Sequence, residues 1–418
     1  MGTKCVKRAF KYRFYPTEEQ AAELSRTFGC VRKVYNMALD ARSRAWTLEH
    51  RRVSYVETSA MLTEWKKTEE HGFLGEVSSV PLQQSLRHLQ TAYTAFFDKR
   101  ARYPRFKSKK RSKDSAEYTR SAFRFSNEQL VLAKMSEPLA IAWSRPLPEE
   151  AEPSTVTVSR DRAGRWFVSL LVEATIAPGP ATDTAVGLDA GLTSLVTLST
   201  GEKITNPKFE RKDRARLGKA QQQLSRKARG SKNWEKARVE VARVHARIAD
   251  RRRDFLHKLT TRLVRENQTI VIEDLTVRSM LGNRTLARAI SDASWTELRS
   301  LLEYKCAWYG RELIAIDRFF PSSKTCSACG LIRGELSLSV RHWTCEGCGT
   351  RHDRDHNAAK TILAAGLAVS ACGAGVRPQR SSSERAVGDE AGSVMARAMA
   401  GPSRKEKGRG QSVIVPLR

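Results

Sequence analysis

Four cysteines lie close together near residue 340 of this 418-residue chain. They form two C-x-x-C pairs, Cys326 with Cys329 and Cys345 with Cys348, and 15 residues separate the pairs. Two such knuckles supply the four thiolates of a tetrahedral zinc ribbon, so we expect one structural Zn²⁺ at these residues. An unmetallated ribbon or disulfide bonds are the alternatives.

Three carboxylates suggest a second metal site, which would hold a hard divalent cation. Asp189 ends an apolar strand-like run, Glu273 ends the run TIVIE, and Asp355 opens a helical pattern seven residues after the last cysteine. Such acid clusters hold two Mg²⁺ ions about 3.5–4 Å apart and hydrolyse phosphodiesters, because hard cations prefer carboxylate oxygens. An isolated Asp beside a turn is usually only a turn residue, and Asp353 is an alternative to Asp355.

The elements around these acids predict a ribonuclease-H-like α/β core. Strand patterns and helical patterns alternate along the second half of the chain, and the acids fall at the ends of elements that would converge at one edge. The predicted strands cover 184–201 (as a hairpin), 269–273 and 312–316, and the predicted helices cover two segments of 203–265, 295–310 and 355–365.

The first half of the chain has a different pattern. Residues 4–15 alternate basic with apolar or aromatic side chains, which predicts a strand that ends at Pro16. Thr17 and Gln20 form a capping box that opens a helix, and helical patterns continue to about residue 101. Short alternating runs over 122–174 then predict hairpins. The combination predicts a small β-barrel interrupted by a helical insertion.

The composition indicates a polyanionic partner. The chain carries 74 Lys and Arg against 45 Asp and Glu, a formal charge of +29, which favours nucleic acid. Residues 99–113 contain nine basic and no acidic residues, with aromatics interleaved, so Arg105 and Lys107 are candidate phosphate contacts unless this is a solvated loop. Lys324 is a candidate backbone-phosphate contact or a solvated charge.

We expect a cytoplasmic protein without a membrane partner. The apolar run over 362–376 is shorter than the ~20 residues of a membrane span, and the amino terminus lacks the apolar region of a secretory signal. His352 and His356 flank the acids. A histidine on a loop lies more often in solvent or near phosphate than on a metal, so neither is included in the metal sites.

An ordered set of motifs resembles the TnpB (OrfB) proteins of bacterial insertion sequences, RNA-guided nucleases related to type V CRISPR effectors. The resemblance covers about residues 7–365 and rests on these motifs: FKYRFYPTEEQ, TFGCVRKVYN, LQQSLRHLQTAYTAFF, GLDAGL, DFLHKLTTRLVRE, ISDASW, EYKCAWYG, FFPSSKTCSACG and HDRDHNAA.

The resemblance implies an α/β multidomain chain. The implied divisions are a wedge-like β-barrel (1–16 and 115–180), a helical recognition domain (17–114), a RuvC-type ribonuclease-H core (181–325 and 349–367) and an inserted zinc ribbon (326–348). Residues 368–418 are rich in Gly, Ser, Arg and Ala without periodicity, so their composition predicts a largely disordered basic tail. The three catalytic acids of the family match Asp189, Glu273 and Asp355 of this sequence. In the family these acids form the RuvC site, which cuts DNA with Mg²⁺.

The resemblance also implies the partners. A guide RNA from the transposon end pairs with one strand of double-stranded target DNA, and the helical domain helps to recognise a short adjacent motif. Tyr55 and Gln83 match the recognition positions, while Ser79 stands where a lysine can occur. One protomer per RNA is expected, with a dimer as the alternative. Other functions left open are a non-cleaving RNA-guided regulator and a transposase or transposition accessory protein.

Overall fold

Two five-stranded sheets organise the chain. The structure, a computed structural model, describes residues 4–148, 151–337 and 339–371. Each sheet has its own hydrophobic core, the first built with the amino-terminal helices and the second with the helices of the carboxyl-terminal half. The mixed α/β class predicted from the sequence is therefore confirmed.

The first half of the chain folds around one long antiparallel strand pair. The elements are β1 (Lys4–Phe14), α1 (Glu18–Glu49), α2 (Tyr55–Lys67), α3 (Ser79–Phe97), β2 (Asp114–Thr119), β3 (Phe123–Ser126), β4 (Gln129–Leu132), β5 (Ile141–Ala142), β6 (Thr155–Arg160) and β7 (Trp166–Ile176). β1 pairs with β7 along its full length, and the sheet order is β2-β6-β7-β1-β5. β3 and β4 form a separate hairpin.

Local sequence signals explain where these helices begin. The Thr17 side chain accepts a hydrogen bond from the Gln20 backbone N–H and the Gln20 side chain accepts from the Thr17 N–H, so the predicted capping box is confirmed. On α3, Leu82, Leu86 and Leu89 are fully buried at three- and four-residue spacing, and they pack into the first core. The helices thus cover the sheet with an apolar stripe.

The second half contains a mixed sheet between layers of helices. The elements are β8 (Ala185–Ala190), β9 (Ser194–Leu198), β10 (Lys203–Thr205), α4 (Phe209–Ser225), α5 (Lys232–Glu266), β11 (Thr269–Glu273), α6 (Val277–Met280), α7 (Ala287–Ala293), α8 (Trp295–Tyr309), β12 (Glu312–Ile316), β13 (His342–Thr344), β14 (Arg351–Asp353) and α9 (Arg354–Ala371). The order is β10-β9-β8-β11-β12, with β8, β11 and β12 parallel.

The two faces of this sheet are covered by different helices. Leu188 and Ile272 point to the core shared with α5 and α8. On the other face α9 lies so close to β8 that a Cβ atom on Gly187 would overlap the backbone carbonyl oxygen of Ala359. Gly366 is similarly pressed against the Val271 side chain. Small residues therefore seat α9 on the sheet.

The carboxyl-terminal helix is longer than predicted. α9 continues to Ala371, whereas the predicted helix ends at residue 365 and the predicted disordered tail begins at residue 368. The run from Thr361 to Ser370 is mostly aliphatic, and Ile362 is fully buried against the sheet, which favours continuation of the helix. The remainder of that predicted tail, 372–418, lies outside the described residues.

No helix in the described ranges is long and apolar enough to cross a membrane.

Candidate active site

Asp189 and Glu273 lie side by side on neighbouring parallel strands. β8 and β11 pair in register up to Leu188 opposite Ile272, and the two acids are the next residue on each strand. Because strand side chains alternate, the acids share the face of Gly187 and Val271, the face that α9 covers. Asp355 is the second residue of α9, one turn before the helix reaches Gly187. The structure therefore brings the three acids together.

The electrostatics of Asp189 reflect this crowding. Burial, the charge of Glu273 and the charge of Asp355 raise the pKa of Asp189 from 3.8 to about 8. Burial also raises the pKa of Glu273, although the Ser322 hydroxyl donates a 2.7 Å hydrogen bond to its Oε1. Carboxylates forced together in this way repel one another, and a divalent cation would relieve the repulsion.

Asp353 and Asp355 differ in their surroundings. Burial acts to raise the pKa of Asp353, but the Lys203 ammonium at 2.7 Å and the His356 backbone N–H at 3.0 Å outweigh it, so the pKa is lowered. Asp355 has one ion pair, to Arg341 at 3.6 Å, and its charge acts on Asp189 more strongly than that of Asp353. Asp353 is thus held by fixed donors, while Asp355 lies near enough to Asp189 for its charge to raise the pKa of that residue.

The four cysteines form a more compact group than the three acids. Their ligand atoms all lie within 4.8 Å of one another, and in the described part of the chain this is the one group of three or more His, Cys, Asp or Glu residues that does so. The Cys326 and Cys348 sulfurs are 3.7 Å apart and the Cys329 and Cys345 sulfurs are 3.6 Å apart, and all four thiols are free. The three acids are spaced more widely than this.

These sulfur distances fit a tetrahedral zinc ion. Zn–S bonds of about 2.3 Å place tetrahedral sulfur ligands about 3.8 Å apart. Disulfide sulfurs would be separated by only about 2.05 Å. The cysteine cluster can therefore hold one zinc ion, as the sequence spacing predicted.

His352 is not in solvent, contrary to the sequence prediction. It lies on β14, where it pairs with Trp343 of β13, and it is only 7% exposed. Its Nε2 is 3.0 Å from the Cys326 sulfur. The prediction failed because the pairing of β13 with β14 turns this side chain inward against Trp343, and no local pattern in the sequence announces that pairing.

His356 is also held by the protein. Its Nε2 lies 3.1 Å from the Ser199 carbonyl oxygen, and the ring packs over Gly201, in the turn after β9. It belongs to the first turn of α9, within the helix predicted over 355–365, and its contact with Ser199 differs from the solvent or phosphate position that was expected.

The candidate nucleic-acid contacts fall into separate groups. Tyr55 and Gln83 meet across α2 and α3, with the Tyr55 hydroxyl 3.3 Å from Gln83 Oε1, whereas Arg105 is exposed in an irregular segment. The Lys107 ammonium lies 3.9 Å from the centre of the Tyr35 ring, and burial lowers its pKa to about 8.

Lys324 is likewise used within the protein. Its ammonium donates a 2.8 Å hydrogen bond to the Gly334 carbonyl oxygen, across the base of the first cysteine knuckle. Neither Lys107 nor Lys324 therefore presents a wholly free ammonium group.

Ser322 and Lys203 are functional candidates that sequence reasoning missed. Ser322 orients Glu273 and Lys203 neutralises Asp353. Ser322 lies in the motif FFPSSKTCSACG, which was a signal that could have identified it. Lys203 is one of 74 basic residues, and nothing in its neighbourhood distinguishes it.

Comparison with known proteins identifies the family. A relative from Streptomyces pristinaespiralis, named "Putative RNA-guided DNA endonuclease", is 76% identical over 378 residues, which is 90% of this chain and 94% of the relative. The chain belongs to the TnpB (OrfB) family. A second relative, "Putative RNA-guided DNA endonuclease InsQ" from Escherichia coli K12, is 35% identical over 89% of this chain and 96% of its own length. The resemblance found in the motifs is therefore confirmed.

Family profiles and a solved structure agree with this membership. Residues 167–284 match the OrfB_IS605 profile, described as "Probable transposase", residues 295–362 match a Cas12f1-like TNB domain and residues 1–51 match a helix-turn-helix domain. A chain of the "Cryo-EM structure of the Cas12f1-sgRNA-target DNA complex" superposes with a TM-score of 0.53 at 14% identity, over 83% of both chains. This likeness shows a shared fold.

Proposed function

We propose that this TnpB family member is an RNA-guided DNA endonuclease and that Asp189, Glu273 and Asp355 form its RuvC-type active site. The observation that carries the proposal is the pair of adjacent acids on β8 and β11, with Asp355 on the helix that covers them. The raised pKa of Asp189 fits a site built to hold divalent cations. The names of the relatives support the same activity.

The residues of the site have separate roles in this proposal. Asp189 and Glu273 hold cations on the rigid sheet, Ser322 fixes the rotamer of Glu273, and Asp355 completes the ligand set from α9. When bound, two Mg²⁺ ions supply an activated water and stabilise the leaving oxygen of the phosphodiester. Arg341 balances the charge of Asp355 and lies on the segment between the cysteine pairs.

The proposed domains follow the two sheets. Residues 1–16 and 115–180 would form the wedge, 17–114 the recognition domain and 181–325 with 349–367 the ribonuclease-H-like core. The segment 326–348 would be a zinc ribbon inserted in that core. Tyr55 and Gln83, linked further to Ser59 and Arg87, would read the adjacent motif in target DNA.

A basic cleft between the two halves is the proposed site for the guide RNA. Five arginines and one aspartate line a cavity of 510 Å³ between α5 and the β6–β7 turn: Arg13, Arg165, Arg243, Arg247, Arg251 and Asp250. The last part of α5 covers the sheet face opposite α9, so the cleft lies away from the acids. An RNA strand bound in this cleft would lie away from the three acids and would not be cut. A guide RNA requires such a position, because it must stay intact.

Two of these arginines make no ion pair with a carboxylate in the described part of the chain, and one of them, Arg13, has its guanidinium over the Tyr15 and Phe167 rings. Arg13 Nε is buried without a hydrogen-bond partner, and Arg247 has no carboxylate partner in the described part of the chain. Arg243, Arg247 and Arg251 follow one another at four-residue intervals, about 6 Å apart along α5. This spacing is comparable to that of successive phosphates in a nucleic-acid strand, which supports a backbone contact.

The deciding experiment uses the protein purified with its co-expressed RNA. The RNA is sequenced, and matched double-stranded DNA with a randomised flank is tested for cleavage with and without Mg²⁺. We expect Mg²⁺-dependent cleavage that is lost in Asp189→Ala, Glu273→Ala and Asp355→Ala. Asp254→Asn is the matched control, because Asp254 is an exposed acid on α5 that pairs with Lys258 and belongs to neither the acid cluster nor the Phe319 loop.

Two outcomes would contradict the proposal. Cleavage that persists in Asp189→Ala would remove the catalytic assignment. RNA-dependent DNA binding without cleavage would favour the non-cleaving regulator instead.

A further inference from the structure

An exposed aromatic ring lies in a loop whose two ends are attached to Glu273. Phe319 lies in the loop between β12 and the first cysteine knuckle, and 85% of its surface is exposed. No other large hydrophobic residue in the described ranges is exposed to this extent. Scattered apolar residues on a surface are ordinary, but Phe319 differs from them in how its loop is held.

The loop presents Phe319 in a fixed conformation. Asp317 Oδ1 accepts a 2.7 Å hydrogen bond from the Phe319 backbone N–H, and the Arg318 guanidinium bonds to Asp274 and Thr276 at 2.9 and 3.1 Å. Phe320 packs inward against the core beneath α9. The exposure of Phe319 is therefore a property of a well-anchored loop, because its neighbours on both sides are tied to the protein.

Both ends of the loop are attached to Glu273. Ile316, three residues before Phe319, is paired with Glu273 in the sheet, and Ser322, three residues after it, donates its hydroxyl to Glu273. Three residues of extended chain span at most about 11 Å, so the Phe319 Cα lies within about that distance of both attachment points. The loop that carries Phe319 therefore begins and ends next to Glu273, one of the three acids.

We propose that Phe319 is a stacking platform for an unpaired base of the DNA strand that enters the acid cluster. The proposal rests on the proposed nuclease function and names a binding subsite next to its active site. Every base has an aromatic face, so such a platform accepts any sequence but requires the base to be unpaired. A stacked base next to the scissile phosphate would restrict the approach of the strand to one path.

The test compares Phe319→Ala, Phe319→Leu and Phe319→Trp in complex with the guide RNA. We expect Phe319→Ala to lower kcat/KM for DNA cleavage by about 5- to 100-fold, mainly through KM, because a single stacked base contributes on that order. Phe319→Trp should restore the wild-type value and Phe319→Leu should not. RNA binding should be unchanged in all three, since the loop is remote from the basic cleft.

A second readout does not depend on cleavage. A fluorescent adenine analogue is placed at successive positions of a single-stranded DNA oligonucleotide and bound to the RNA complex of the Asp189→Ala protein. Stacking on Phe319 should quench the analogue at one or two positions, and the quenching should vanish when Phe319→Ala is added. The same measurement decides the question even where the wild-type protein does not cut DNA, so the two proposals can fail separately.

Equal cleavage by the Ala and wild-type proteins, with no quenching that depends on Phe319, would overturn the proposal. Full rescue by Leu would also overturn it, because an apolar contact would then replace stacking.

Discussion

Asp189 carries the largest electrostatic cost of the site in the metal-free protein. Its pKa of about 8 is raised above the ordinary 3.8, so the folded state holds a proton that the unfolded chain releases. Its contribution to stability is therefore present below about pH 4 and is lost as the pH rises through 8. The negative charge of Asp189 favours the binding of a cation but lowers the free energy of unfolding of the metal-free protein.

We predict that Asp189→Asn stabilises the metal-free protein at alkaline pH. At pH 8.5 the variant should exceed the wild type in free energy of unfolding by more than about 1 kcal/mol, since one pKa unit corresponds to about 1.4 kcal/mol. At pH 4 the two should agree. Thermal unfolding in buffer without added Mg²⁺ checks this, and chelators are omitted so that zinc is retained.

Asp274→Asn is a control that should change the stability of the protein at pH 8.5 in the opposite direction. A hydrogen bond from Arg299 lowers the pKa of Asp274, so its stabilising charge is lost as the pH falls through that lowered value. The Asn variant should therefore have a lower Tm than the wild type at pH 8.5. An Asp189→Asn protein that is also less stable at pH 8.5 would contradict the crowding of the three acids.

At the scale of elements, the position of Asp355 depends on the seating of α9. We predict that Gly187→Ala displaces the helix, because the added Cβ would overlap the Ala359 carbonyl oxygen. Cleavage should fall on the order of 100-fold, since small displacements of catalytic groups have large effects. Cleavage rate and guide-RNA affinity are measured together, and RNA affinity should be retained.

Gly218→Ala is the matched control for this substitution. Gly218 lies inside α4, and a Cβ added there meets no atom within 4 Å. Alanine should stabilise that helix by about 0.5–1 kcal/mol and leave cleavage unchanged. Wild-type cleavage by Gly187→Ala would show that α9 does not set the position of Asp355.

The cysteine cluster is the second element that affects Asp355. Asn357 on α9 accepts the Ser327 backbone N–H at 2.9 Å and donates to the Thr325 carbonyl oxygen at 2.7 Å, so it joins the first knuckle to the helix. We predict one zinc per chain for the wild type, and loss of both zinc and most cleavage in Cys348→Ser. Elemental analysis and the cleavage assay measure these effects.

The exposed Cys5 provides the control for zinc. Cys5→Ser should keep one zinc per chain, because this thiol lies on β1, outside the cysteine cluster. Zinc well below one per chain in the wild-type protein would contradict the tetrahedral site.

The helices and strands could be predicted from the sequence better than the contacts between side chains of separate elements. The strand that ends at Glu273 and the helix that opens near Asp355 were predictable because their patterns are local. The hydrogen bond from Ser322 to Glu273 and the burial of His352 against Cys326 were not, because each joins residues from separate elements. Residues 368–371 were predicted as part of the tail, although they continue α9 with exposed side chains over 368–370.

On the scale of the whole molecule, the basic cleft links the charge of the chain to its proposed partner. The formal charge of +29 predicts polyanion binding without saying where it occurs. The cleft concentrates arginines from both halves of the chain, and Arg165 also joins those halves by pairing with Asp250 of α5. A guide RNA bound there would contact both sheets, so its binding should stabilise the protein as a unit.

Arg247→Gln tests this surface, because Arg247 is exposed on α5 and its loss should not disturb folding. Guide-RNA affinity is measured between about 50 and 200 mM salt, and each lost phosphate contact should reduce the slope of log affinity against log salt by about one. Arg44→Gln is the control, since its side chain is 73% exposed and pairs with Asp40 on α1, outside the cleft. A slope that is the same in wild-type and Arg247→Gln proteins would exclude a phosphate contact at Arg247 and move the proposed RNA site elsewhere.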